Sequence, residues 1–243
     1  ARYARWHMRL LPYLRVLDRE FMQQGLPFMR HNLLVVSEAD ALYEQLLSAP
    51  DQHFLGDDLL VAPVLEEGAD SRNVVLPEGR WHSLLSTASY EGGQSLDIAS
   101  PLGETVVLAR GGSLLPLGDP EVQTSYVTDD ASVVDHRDRD DRLHLMAFAG
   151  GSSALDLAEG GSLQLDATGK ALGTVTLDGV ALDAACADET DSNCIESAET
   201  EHVTLRVSWA AGTSTLAGDG WSLAADLPDA RSGRVELRGF ATP

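Results

Sequence analysis

From Leu59 onward the chain is cut into short apolar runs by Gly, Pro and Asp, and this pattern constrains the fold more than any other feature. Leu59–Val64, Asn73–Leu76, Ser95–Ile98 and Thr105–Ala109 are strand-length runs, and turn-forming residues separate them. Pro77-Glu78-Gly79 is turn chemistry between two runs. Thr174–Leu177, then Asp178-Gly179, then Val180–Leu182 spells a two-residue hairpin. His202–Trp209 alternates, with Val203, Leu205, Val207 and Trp209 on one face. Arg234–Phe240 reads as a last strand. The expectation is antiparallel β structure of the sandwich type, in two domains that meet near Gly118–Pro120.

The first 50 residues follow a different rule. Tyr3, Trp6, Leu10, Leu14, Leu17 and Phe21 recur at steps of three and four, which makes one apolar helical stripe. Pro12 either kinks this helix or marks where its regular part begins. Gly25 is a stop signal, with Pro27 just beyond it. Phe28–Val36 is expected to be a buried strand, covered on both faces as in a parallel sheet, although His31 and Asn32 sit in its middle. Ser37, with Asp40 three residues on, is expected to cap a helix that carries Leu42, Tyr43, Leu46 and Leu47 and ends at Pro50. A helix–strand–helix of this size cannot bury its own apolar faces and needs a larger α/β body.

Charge excludes some partners. With 38 acidic against 17 basic residues the formal charge is −21, so nucleic acid and anionic membranes are repelled. No apolar run approaches the roughly 18 residues of a membrane helix, and no signal-like segment opens the chain. The first residues, Ala1 to Leu14, read as the interior of a domain. Cys186 and Cys194 lie eight positions apart in a polar, acidic loop. A local disulfide is expected, which implies an extracellular or periplasmic setting; two free loop thiols are the alternative.

Few residues suggest chemistry. Asp57 and Asp58 are adjacent beside a strand, so their side chains should diverge, which is poor geometry for an acid and a nucleophile. The segment Asp129–Asp141 holds six aspartates interleaved with Arg137 and Arg139, and reads as a solvated loop rather than a calcium loop, since the EF-hand Gly and Glu positions are not met. The seven histidines are scattered, and no phosphate loop or nucleophile elbow is present. No catalytic, substrate-binding or metal residue is therefore expected, and no cofactor. Trp81, Tyr90, Tyr126, Trp209 and Trp221 are available for stacking on sugars; the alternation places Trp209 in the core, whereas Trp81, after a turn, is open to either reading.

Three stretches carry a resemblance. The first is Leu10-Leu11-Pro12-Tyr13-Leu14 with Gly25-Leu26-Pro27-Phe28-Met29-Arg30. The second runs from Asp51-Gln52-His53-Phe54-Leu55-Gly56-Asp57-Asp58 through Leu59-Leu60-Val61-Ala62-Pro63-Val64 to Leu76-Pro77-Glu78-Gly79-Arg80-Trp81. The third joins Tyr90-Glu91-Gly92-Gly93 to Ala109-Arg110-Gly111-Gly112-Ser113-Leu114-Leu115-Pro116-Leu117. In this order they resemble the C-terminal third of family 31 glycoside hydrolases, the α-glucosidase-like enzymes.

The resemblance implies that residues 1–55 are the last helix–strand–helix of a (β/α)8 barrel, 56–119 a proximal β domain and 120–243 a distal one. It implies a parent that is a retaining, exo-acting α-glycosidase, whose catalytic aspartates lie on earlier barrel strands, so that this chain alone is structural and inactive. Its partners would be the catalytic barrel and N-terminal domain of the same enzyme, and the parent's carbohydrate substrate. Hydrolases of α-glucosides, α-xylosides, α-galactosides and sulfoquinovosides share that architecture. His31-Asn32 departs from the family's usual Pro-Leu, and either reaches an active-site face or hydrogen-bonds within the barrel wall. Trp6, Leu10 and Leu14 are expected to face missing barrel helices. The alternative is a free-standing carbohydrate-binding module that holds a glycan through aromatics such as Trp81.

Overall fold

The structure, a computed structural model, describes residues 2–169 and 171–241. The apolar stripe at the start forms two helices, α1 (Arg2–Arg9) and α2 (Leu11–Gln24). Pro12 occupies the first turn of α2, where its missing N–H has no intrahelical partner to lose. Gly25 ends α2 with φ 75° and donates its N–H to the Phe21 carbonyl. Tyr13, Val16 and Leu17 are the buried residues of α2. Tyr13 and Leu17 pack on Leu59, Leu115 and Phe148, with Trp6, Leu10 and Leu14 partly buried on the same cluster. The stripe expected to meet missing barrel helices thus seats α1 and α2 on the β-sheets of this chain.

The strand expected over Phe28–Val36 forms only as β1 (Met29–Arg30), and it pairs antiparallel with β2 (His53–Leu55). A 3-10 turn over Asn32–Leu34 follows, and Leu33 and Leu34 are half exposed. The polar pair explains the departure. His31 Nδ1 accepts from the Leu33 N–H, and the fully buried Asn32 donates its amide to the Leu46 carbonyl at 2.6 Å. Such side-chain bonds offer the backbone an alternative to a ladder. The helix expected from Ser37 shortens to α3 (Tyr43–Leu47), because Asp40 accepts from the Leu42 N–H and from Glu78 N–H and so ties the preceding turn to a loop.

The alternating runs then appear as strands: β3 (Leu59–Ala62), β4 (Ser71–Leu76), β5 (Arg80–Ser83), β6 (Ser89–Glu91), β7 (Gln94–Ala99), β8 (Val106–Arg110) and β9 (Leu114–Leu117). The first sheet has the order β1-β2-β3-β8-β5-β6, with β4-β7 as a separate ribbon. Phe54, Leu60, Val74, Leu76, Trp81 and Leu108 form its core.

The later strands are β10 (His144–Phe148), β11 (Gly151–Asp156), β12 (Ser162–Ala167), β13 (Thr176–Leu177), β14 (Val180–Ala181), β15 (Cys194–Glu199), β16 (His202–Trp209), β17 (Gly212–Gly218), β18 (Trp221–Leu227) and β19 (Arg231–Arg238). Together with β9 they make two sheets, β15-β16-β19-β10-β9 and β11-β12-β18-β17-β13-β14, and Leu145, Leu163, Leu205, Trp209, Leu223 and Val235 share one core cluster. Strand pairing is antiparallel except between β10 and β19. The Asp178-Gly179 hairpin forms as read, with φ 49° and 81° at its centre. On β16 the residues alternate between partly and fully buried, with Val203, Leu205, Val207 and Trp209 inside.

Glycines let the first sheet approach the last two. Gly112, with φ +88°, lies so close to Gly151 that an added Cβ would sit 2.6 Å from the Gly151 carbonyl carbon. Its N–H donates to the Phe148 carbonyl. His82, on β5, reaches across the same seam and places Nε2 2.9 Å from the Ala149 carbonyl oxygen.

Candidate functional site

Asp57 and Asp58, singled out in the sequence, lie where α2, β1 and the β2–β3 turn meet. Gly56, at φ 64°, turns the chain there, and an added Cβ would strike the Tyr13 hydroxyl. Asp57 and Asp58 leave this turn toward different partners. Asp57 receives Arg30 Nη1 at 2.5 Å, while Arg30 Nη2 binds Glu20 and Nε donates to the Pro27 carbonyl. Arg30 is almost fully buried and is therefore a pinned ion-pair hub. Asp58 accepts from Ser113 Oγ at 2.8 Å and lies 3.0 Å from the Tyr13 hydroxyl. Burial pushes the Asp58 carboxyl up, against the downward pull of both hydroxyls and of Arg110. Burial, with Asp58 beside it, pushes the Tyr13 phenol well above its ordinary value.

Arg110 extends this cluster. Its guanidinium lies against the rings of Phe54 and Trp81, 5.6 and 5.3 Å from their centroids. Burial lowers its pKa. The chemistry of the cluster is fixation: each carboxylate is already engaged by a donor from another element, and α2 is thereby tied to β1, β3 and the β8–β9 turn.

The other candidates separate from it. Asp135, in the acidic segment, is buried and caps the 3-10 turn His136–Arg139, accepting from Arg137 and from the Thr128 N–H. Among the described residues no group of three or more His, Cys, Asp and Glu side chains is arranged to hold a metal ion. Trp81 is fully buried and its Nε1 donates to the Pro77 carbonyl. Trp209 and Trp221 are core residues, Tyr90 packs partly on the first core, and Tyr126 is exposed. His31 is exposed, and Asn32 points inward to α3 rather than to any open face. The sulfurs of Cys186 and Cys194 are bonded, with Cα atoms 5.2 Å apart.

Two polar hubs had no sequence signal. Glu236 on β19 receives Arg9 at 3.0 Å and Arg238 at 3.1 Å, with His202 at 3.7 Å. Burial pushes its carboxyl up, but His202, Arg9 and Arg238 outweigh this and hold it at about 2. Asp119 pairs with His144 at 3.1 Å and is likewise held at about 2, its hydrogen bonds and the nearby Arg139 overcoming burial. Both hubs join residues from distant parts of the chain, which no local spacing could reveal.

Residues 25–115 match the model of the glycosyl hydrolase family 31 C-terminal domain. That stretch is similar to a family 31 C-terminal domain. Sulfoquinovosidase from Agrobacterium fabrum is 34% identical over 114 residues, which is 46% of this chain and 17% of that protein. Human neutral alpha-glucosidase AB is 35% identical over 109 residues, 44% of this chain and 11% of that protein. The family 31 dextranase of Flavobacterium johnsoniae, solved with glucose, superposes on 95% of this chain with a TM-score of 0.60 at 18% identity, and the match takes up 31% of its length. The fold is thus shared well past residue 115, while the chain spans less than a fifth of the first two relatives. Among the described residues no helix is long and apolar enough to cross a membrane.

Proposed function

We propose that this chain is the C-terminal portion of a retaining, exo-acting α-glycosidase, that it is structural, and that the catalytic aspartates belong to barrel strands outside it. The observation that carries this reading is the family 31 match over residues 25–115 in a chain that corresponds to so small a share of its glycosidase relatives. Asp57 and Asp58 support it, since both are spent on Arg30, Tyr13 and Ser113 and face apart. In this reading residues 1–55 complete the barrel, 56–119 and 120–243 are the proximal and distal β domains, and the partners are the barrel and N-terminal domain of the same enzyme. The disulfide supports an extracellular or periplasmic location.

The test is to assay the purified chain and the product of its complete reading frame on 4-nitrophenyl α-glucoside and α-sulfoquinovoside. The chain should release no nitrophenol, and the complete protein should hydrolyse one of the two with retention of the anomeric configuration. Turnover by the chain alone, or an inverted product, would overturn the proposal. The carbohydrate-binding module that relies on Trp81 loses its support, because that ring is enclosed in the core.

A further inference from the structure

A cleft of about 130 Å³ opens where four distant segments meet: the α1–α2 junction, the chain after β9, the β11–β12 turn and the start of β19. None of the polar cluster around Asp58 lines it. Its floor is aliphatic, made by Leu11, Leu117, Leu143 and Leu157.

Its rim is a ring of guanidinium–carboxylate pairs. Arg15 meets Glu159 at 2.5 Å, Arg231 meets the same carboxylate at 3.6 Å, and Arg139 meets Glu121 at 2.5 Å. Asp119 forms one wall, its carboxylate held by His144. His136 also lines the cleft, and its buried Nδ1 has no hydrogen-bond partner among the described residues.

This arrangement selects by chemistry. Each rim guanidinium already has a carboxylate, so the pairs offer a free anion or cation little net charge, while their remaining N–H donors and lone pairs stay open to hydrogen bonds. An apolar ligand would suit the floor but would strip water from the rim donors and acceptors without replacing it. A ligand with an apolar C–H face and a girdle of neutral hydroxyls meets both demands. Its face lies on the leucines, and vicinal hydroxyls donate to Glu159 and accept from Arg15, Arg231 and Arg139.

We propose that this cleft binds a single neutral pyranose sugar. The inference goes beyond the reading of the chain as a glycosidase portion, because the binding is measured on this chain and requires no hydrolysis.

The experiment is a titration of the 15N-labelled chain with D-glucose, followed by amide shifts. Saturable shifts are expected at Gly118, Ser125 and Gly160. Glu159 is more than half exposed, so Glu159→Gln should fold, and it should weaken binding about tenfold through loss of charge-assisted hydrogen bonds. Arg15→Gln, also exposed, is the second variant and should weaken binding similarly. Glu104→Gln, whose partner is Arg2, should leave binding unchanged. Absence of saturable shifts, shifts confined to other surfaces, or unchanged glucose binding in both cleft variants would overturn the proposal. So would sulfate shifting these amides where glucose does not, since the site would then take an anion. The hydrolysis assay on the complete protein has a separate readout, so either proposal can fail alone.

Discussion

His82 shows how much a single side chain carries at the seam between the sheets. Its ring is buried, stacks at 5.6 Å on Phe148 and keeps Nε2 against the Ala149 carbonyl. Arg80, Arg238 and Glu201 are the charged groups around it, and Gly239 packs against the ring so closely that an added Cβ would overlap it. Burial lowers its pKa below the ordinary value of 6.5, with Arg80 and Arg238 adding to the effect and the Ala149 bond and Glu201 opposing it. A depressed folded pKa means that the unfolded chain takes up the proton first. The contribution of His82 to stability is therefore complete above about pH 6.5 and is lost as the pH falls through its folded value. His82→Gln keeps a donor toward Ala149 without an ionisable ring. Melting curves from pH 8 to 5 should show a smaller fall in Tm for this variant than for the parent chain, and equal slopes would exclude the role. The sequence offered His82 only as one of seven scattered histidines, since its partners come from β10 and the segment after β19. Trp209 was legible for the opposite reason: its neighbours on β16 alternate, and alternation is local.

At the scale of elements, local chemistry decided between correct and incorrect readings. The hairpin at Asp178-Gly179 was readable because a two-residue turn with both residues at positive φ admits few sequences. The strand over Phe28–Val36 was misread because apolar content alone does not separate a buried strand from an irregular segment. Asn32 decided it, by donating to carbonyls at the end of α3 that lie 14 and 17 positions away. The glycine pair Gly111-Gly112 makes the β8–β9 turn, but its second use was invisible: Gly112 is where the backbone at the start of β11 passes. Gly112→Ala would place Cβ on that backbone and force a residue other than Gly to φ +88°. A loss of roughly 2 kcal/mol or more is expected, from overpacking and strain together. Gly68→Ala is the control, for it too has positive φ but an added Cβ meets nothing. Chemical denaturation of both variants separates the two effects, and equal losses would show that strain alone, not the close approach, is what Gly112 provides.

At the scale of the whole molecule, the apolar surface is unevenly distributed. Among the described residues, Tyr3, Phe21, Met22, Met29, Leu33 and Leu34 are exposed large apolar side chains within the first 34 positions, whereas Leu65, Leu102, Tyr126, Val127 and Val180 are spread over the rest. The same segment carries the stripe that seats α2 on the sheets, so α2 is apolar on more of its circumference than one contact can cover. Single exposed leucines are ordinary, but a concentration of them marks a surface that binds something. The charge of −21 opposes self-association over the rest of the molecule, and salt screens that repulsion. The chain should therefore be monomeric at low ionic strength and associate increasingly as salt is raised, through its first 34 residues. Met22 is 76% exposed and Leu33 53%, so Met22→Lys with Leu33→Gln should leave Tm within about 1 °C, because exposed positions contribute little to packing. Sedimentation velocity at low and high salt should show the parent chain shifting to larger species and the double variant remaining monomeric. If the variant associates as the parent does, the contact lies elsewhere, and the apolar face of the first helices is not the surface through which this chain meets a neighbour.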